Sequence, residues 1–167
     1  MRARIKLISF AKAPNLLWHL QNGMLPDTLQ PKVWMVLIGT NDLGFAHCSK
    51  QSTLKAILHT TTYLHEQRPK ATILLHGLLP RGEGRGKAMI LGRTWKDIQW
   101  INQQLEHACS LNPQWHYMDT GKLFLMADGT RLDSQLIADG VHPRLSGFRQ
   151  WGPLIVKKVE QLLLDAD

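Results

Sequence analysis

A chain of 167 residues, 44% of them hydrophobic, has the apolar mass for one domain with a substantial core and too little length for two. Its formal charge of +7 comes mostly from two places: Arg2, Arg4, Lys6 and Lys12 have no acid near them, and Arg81, Arg85, Lys87, Arg93 and Lys96 are offset only by Glu83. Neither cluster is interleaved with a stacking or groove-reading motif, so no nucleic-acid partner is expected and the clusters read as solvated basic loops.

In chain order, Arg2 to Ser9 alternates basic side chains with Ala3, Ile5 and Leu7, the period of a strand with one buried face. Asn15 to Gln21 reads as a helix that starts at Pro14 or Asn15, stops at Asn22-Gly23 and has Leu16, Leu17, Trp18 and Leu20 on its apolar face. Val33 to Ile38 is a continuous apolar run, the pattern of a strand buried on both faces of a parallel sheet. Ser49 or Ser52 opens a helix to about Gln67, with Leu54, Ile57, Leu58, Thr61 and Leu64 inward, and Ala71 to Leu75 is the next buried strand.

The stretch Gly77 to Gly92 reads as one long loop. It is not a Walker phosphate loop, because Gly86-Lys87 is followed by Ala88 and no glycine stands five positions before Gly86. A helix from Thr94 or Trp95 to Leu111 follows, with Ile98, Ile101, Leu105 and Ala108 on its core face, then a short strand over Trp115 to Met118. The last helix spans about Ser146 to Leu164, with Phe148, Trp151, Leu154, Ile155, Val159 and Leu162 as its buried stripe. Strands alternating with helices predict a single α/β sandwich domain over residues 1–167 with a parallel sheet, whose function gathers at the carboxyl ends of the strands.

Cys48 and Cys109 form no Cys-x-x-Cys, so neither a disulfide framework nor a zinc site is expected, and a reducing, cytoplasmic compartment fits. The acid-free stretch Met1 to Pro26 has one trait of an organellar transit peptide but is poor in Ser, which makes targeting the weaker alternative. No run reaches the ~18 to 20 apolar residues of a membrane span.

Two short stretches carry chemistry. In Asp139-Gly140-Val141-His142-Pro143 a carboxylate precedes an imidazole by three residues, so a bent loop can hold acid against ring and fix its tautomer, as a general base requires. The blander alternative is an Asp that caps the following structure beside a surface His. Gly39-Thr40-Asn41-Asp42 falls at the end of a predicted strand, where the Asn41 carboxamide can donate to a developing oxyanion. Here the alternative is an Asx turn that satisfies its own backbone.

These two stretches resemble the third and fifth conserved blocks of the SGNH (GDSL) hydrolases. Asn15-Leu16-Leu17-Trp18-His19-Leu20-Gln21-Asn22-Gly23 and Leu78-Leu79-Pro80-Arg81-Gly82-Glu83 are similar to the subgroup around the catalytic subunits of platelet-activating factor acetylhydrolase. The resemblance runs from about residue 15 to 164 and implies a flavodoxin-like three-layer α/β/α fold and a serine ester hydrolase acting on a small ester, with no cofactor or metal. It implies His142 as general base, Asp139 as the residue that orients it, and Asn41 as oxyanion donor. The family's nucleophile is the Ser of a Gly-Asp-Ser motif that ends the first strand, and no Gly-Asp-Ser occurs in this sequence. The family's oxyanion glycine is also expected a few residues before Asn15, where the chain reads Ile8-Ser9-Phe10-Ala11-Lys12. The expectation is therefore an N-terminally truncated chain lacking the family's first strand, inactive as an esterase, or a non-catalytic module that binds a ligand or partner through the remaining crevice. A homo-oligomer or a complementing chain could fill the vacant strand position, and Ser9 is a remote candidate for a substitute nucleophile.

Overall fold

The computed structural model describes residues 12–83 and 90–165. The strand expected over Arg2 to Ser9, and Ser9 itself, lie outside the described residues.

The first helix, α1, spans Ala13–His19 and begins earlier than its sequence suggests. The Asp42 carboxylate accepts from the Ala13 N–H at 3.0 Å and so stabilises that first turn. Pro14 follows in the first turn, where a missing N–H costs nothing. The chain continues through a wider helical turn, Leu20–Met24, and leaves it at Gly23 with φ +94°.

Strand β1, Val33–Val36, leads to the short helix α2, Thr40–Gly44, and then to α3, Lys50–Gln67. Ser49 caps α3 by accepting from the Ser52 N–H at 3.1 Å. The inward face of α3 is Thr53, Ile57, Thr60, Thr61 and Leu64, while Leu54 and Leu58 are only half-buried. Two of its threonines bury without cost because their hydroxyls return to the helix: Thr60 Oγ1 donates to Ala56 O and Thr61 Oγ1 to Ile57 O, both at 2.9 Å.

Strand β2 is Thr72–His76. The stretch expected as a single long loop instead contains a small antiparallel pair, β3 (Gly82–Glu83) and β4 (Ile90–Leu91), with Gly82 opposite Leu91. Its glycine density hides strands that are two residues long. Helix α4, Arg93–Ser110, strand β5, Trp115–Met118, and helix α5, Leu145–Leu164, complete the described chain.

The main sheet is parallel in the order β1-β2-β5, with Trp34, Ile73 and Trp115 in one row and Val36 and Leu75 in another. Side chains alternate between its faces. Val36, Ile73 and Leu75 pack with Ile57 and Leu64 of α3 and Ile98, Ile101 and Leu105 of α4, whereas Met35 and Leu37 join Phe124, Ile137 and Trp151 on the α5 side. Each fully buried Ile or Leu here contributes about 1.5–3 kcal/mol. The result is the three-layer α/β/α sandwich with a parallel sheet that the sequence predicts.

Two burial expectations are corrected. Strand β1 ends at Val36, and its Val33, Trp34 and Met35 are half-buried rather than enclosed on both faces, because β1 is an edge of the described sheet. On α5 the buried positions are Gly147, Trp151 and Leu162, while Phe148 and Leu154 are 48% and 43% exposed. The helix approaches the core at Gly147, where an added Cβ would lie 2.7 Å from Leu136 O, and this contact sets which side faces inward. Phe148 then lies over Trp151, centroids 5.9 Å apart, with its far side open. Among the described residues no helix is long and apolar enough to cross a membrane.

Candidate active site

After β1 the chain turns at Gly39, whose φ of +119° and whose approach to α3 both require glycine: an added Cβ would lie 2.7 Å from Ile57 Cδ1. Gly39 O then accepts from the N–H groups of Asp42 and Leu43, and α2 begins. Asn41 lies in its first turn, half-buried, with a carboxamide that bonds to no other described residue. The self-satisfying Asx turn does not form.

Its neighbour Asp42 has the opposite fate. It is 3% exposed and tied to the start of α1, and burial raises its carboxyl above the ordinary range, with the Ala13 N–H bond pulling the other way. Of the adjacent pair, Asp42 builds the fold and Asn41 is presented.

In the Asp139 loop one carboxylate both caps its turn and contacts the imidazole. One oxygen, Oδ1, accepts from the N–H groups of Val141 and His142 at 2.9 and 2.8 Å and so caps the turn, which Gly140 permits with φ +83°. The other, Oδ2, lies 2.7 Å from His142 Nδ1. The His142 N–H bond, with the imidazole and the Val141 N–H adding to it, holds the Asp139 carboxyl down to about 2. An ionised carboxylate can only accept, so in the neutral ring Nδ1 carries the proton and Nε2 has the lone pair. The His142 side chain is 77% exposed, which leaves that lone pair available.

The loop is pinned from both sides. Gly82 N–H donates to Gly140 O at 2.9 Å, joining the Leu78 to Glu83 stretch to the Asp139 loop, and Arg144 N–H donates to Leu136 O at 2.7 Å. Arg81, next to Gly82, lies against Gly44 at the end of α2. Residues 81 and 82 therefore connect the helix that carries Asn41 to the loop that carries His142.

Sequence reasoning missed a second histidine nearby. His76 ends β2 and is 1% exposed. Its Nδ1 lies 2.6 Å from Gly77 O, a pure acceptor, so Nδ1 is the protonated nitrogen. Its Nε2 then accepts from Thr120 Oγ1 at 2.9 Å and from Trp151 Nε1 at 3.4 Å. Burial lowers its pKa and keeps it neutral. No pattern in the sequence marks this residue, since its partners stand 44 and 75 positions away.

A cleft of about 530 Å³ opens between α4 and the segment after β5, lined by Trp95, Asn102, Tyr117 and Asp119 among others. It contains none of Asn41, Asp139 and His142. Of the three predicted site residues, Asn41 is half-buried in the first turn of α2, while Asp139 and His142 are exposed on their loop.

A parallel three-layer sandwich with a histidine held by an aspartate on a loop beyond its strands is the arrangement expected of the SGNH family. The chain belongs to the GDSL-like lipase/acylhydrolase family, which matches residues 8–150. It is 32% identical over 118 residues to human platelet-activating factor acetylhydrolase IB subunit alpha1, an alignment covering 70% of this chain and 46% of that protein. It is likewise 32% identical over 116 residues to the chicken alpha2 subunit, with the same shares covered. The chain therefore spans about half the length of the curated relatives it matches. Among solved structures, a GDSL-like lipase from Bacteroides thetaiotaomicron superposes with a TM-score of 0.73 at 20% identity, over 90% of this chain and 71% of that one. A carbohydrate esterase of family 3 from Talaromyces cellulolyticus superposes at 0.65 and 18% identity, over 92% and 69%. These structures share the fold.

Proposed function

We propose that the surface carrying Asn41, Asp139 and His142 is the acid–base and oxyanion part of a serine-esterase site for small carboxylic or acetyl esters. The observation that carries this reading is the 2.7 Å contact between Asp139 Oδ2 and His142 Nδ1. It holds the imidazole in the tautomer whose Nε2 can take a proton from an attacking hydroxyl. The half-buried Asn41 carboxamide, unbonded within the described residues, is the donor available to an acyl oxyanion.

In this mechanism a serine hydroxyl loses its proton to His142 Nε2 as its oxygen attacks the ester carbonyl. The tetrahedral oxyanion is held by Asn41, and His142 returns the proton to the leaving alcohol. Water then repeats the sequence on the acyl-enzyme. The sequence contains no Gly-Asp-Ser to supply the serine. Loss of the nucleophile alone costs a triad enzyme on the order of 10⁶ in rate. The mechanism therefore proceeds only where a serine hydroxyl is presented to His142 Nε2.

The absence of Gly-Asp-Ser also favours a second reading, a non-catalytic SGNH-fold module that binds a ligand or partner through the same surface. A fluorophosphonate label with a p-nitrophenyl acetate assay separates the two. Labelling at a serine, lost in His142→Ala, supports the esterase. A folded sample that neither labels nor hydrolyses supports the module. If the label falls on Ser9 and Ser9→Ala abolishes it, the substitute nucleophile is identified; labelling unchanged in Ser9→Ala removes that candidate.

A further inference from the structure

We infer that Arg81 is a receptor for an oxyanion group, a phosphate or a carboxylate, at the edge of the candidate active site. The inference rests on the ester-hydrolase reading for what the ligand is, and on geometry for where it binds.

Two arginines, Arg68 buried and Arg81 half-buried, make the case by contrast. Arg68, 7% exposed, places its donors on main-chain oxygens: Nε on Leu29 O at 2.9 Å, Nη1 on Gln67 O at 2.7 Å, and Nη2 on Leu25 O and Pro26 O at 3.0 and 2.9 Å. A guanidinium used as a structural clamp looks like this, with its fork saturated by carbonyls. Arg81 is arranged differently. Its Nη1 is buried and has no hydrogen-bond partner, and no other donor of its guanidinium bonds to a described residue. A charged donor buried without an acceptor is costly, and a native fold that keeps one usually has a use for it.

The position of that donor supplies the use. The guanidinium lies flat against Gly44, where an added Cβ would be 2.2 Å from Cζ, 2.3 Å from Nε and 2.6 Å from Nη2. A larger residue at the end of α2 would displace the guanidinium from this position. The residue after Arg81 donates its N–H to Gly140 O in the Asp139 loop. Arg81 is thereby held between the helix whose first turn bears Asn41 and the loop that bears His142. A planar fork with unpaired N–H groups at that place fits an oxyanion bidentately. An ester site offers two sources of one: a phosphate carried on the alcohol portion of the substrate, and the carboxylate product of hydrolysis.

Thermal unfolding of the full chain in sodium phosphate, sodium acetate and sodium chloride at equal ionic strength tests this without any turnover, so it stands or falls separately from the labelling experiment. Binding to the native state raises Tm by linkage. The expected result is a Tm increase in phosphate, in acetate or in both relative to chloride, which Arg81→Met abolishes without lowering the Tm measured in chloride. A rise in phosphate alone assigns the phosphate-bearing substrate, and a rise in acetate alone assigns the acid product. Arg81→Lys, which keeps the charge but loses the fork, should reduce the rise. The inference is overturned if neither anion differs from chloride, if the rise survives in the Arg81 variants, or if Arg81→Met unfolds at markedly lower temperature in chloride, the behaviour of a structural clamp.

Discussion

His142 and His76 are held by the same nitrogen and differ in what the other one meets. In both, Nδ1–H faces an oxygen that can only accept: the Asp139 carboxylate for one, Gly77 O for the other. At His142 the remaining nitrogen is on a ring that is mostly exposed, while at His76 it is already engaged by Thr120 and Trp151 inside the core between β2 and α5. A fixed tautomer is therefore not in itself a sign of catalysis. What distinguishes a candidate base from a structural histidine is a lone pair left without a donor, reachable from outside.

The largest effect that would break this contrast is loss of the buried member. His76→Ala leaves Thr120, Trp151 and Gly77 O without their partner and opens a void, and should cost about 3 kcal/mol or more in urea unfolding at unchanged m-value. A loss below about 1 kcal/mol would mean that the network does not stabilise the α5 layer. Gly39→Ala comes next. It forces a side chain into left-handed backbone and onto Ile57, for an expected loss of about 2–3 kcal/mol, and its Asn41 and Asp139 loop signals should respond unequally, the Asn41 turn moving more.

Smaller, and separable by pH, are the titration effects. His76 has a folded pKa below its ordinary 6.5. Above 6.5 it is neutral folded or unfolded and adds no slope; as pH falls through 6.5 the unfolded chain takes up a proton that the fold refuses, and stability drops until the folded pKa is reached. Asp139, lowered from 3.8 to about 2, acts only in that more acidic window, where the unfolded carboxyl protonates first. A stability profile of the His76→Ala variant should lose slope just below pH 6.5 relative to the parent chain. An identical slope would remove His76 as its source. The smallest effect belongs to His142→Ala, which touches an exposed side chain and should shift stability by no more than about 0.5 kcal/mol.

Much of this contrast's exposed half can be read from the sequence, and almost none of its buried half. Asp139 and His142 are three residues apart, so local geometry suffices to pair them. Ser49 ahead of α3 and the stop before Arg68-Pro69 are local signals too, and both ends of that helix are where they are expected. His76 is held by residues distant in sequence, which no local pattern encodes. Hydropathy misleads in the same way on α3, where threonines bury because their hydroxyls bond back to the helix, and on α5, where a contact at Gly147 decides which apolar residues face in. The pair Asn41-Asp42 shows the limit most sharply. Both suit a turn, and only the packing of α1 shows that Asp42 is spent on the fold while the Asn41 carboxamide stays unbonded among the described residues.

The state of the His142 ring tests the central claim most directly. In ¹⁵N spectra of the neutral imidazole, the account predicts the proton on Nδ1 and an unprotonated Nε2, with Asp139→Asn disturbing that preference and leaving His76 unchanged. A His142 ring protonated on Nε2, or one indifferent to Asp139→Asn, would contradict it.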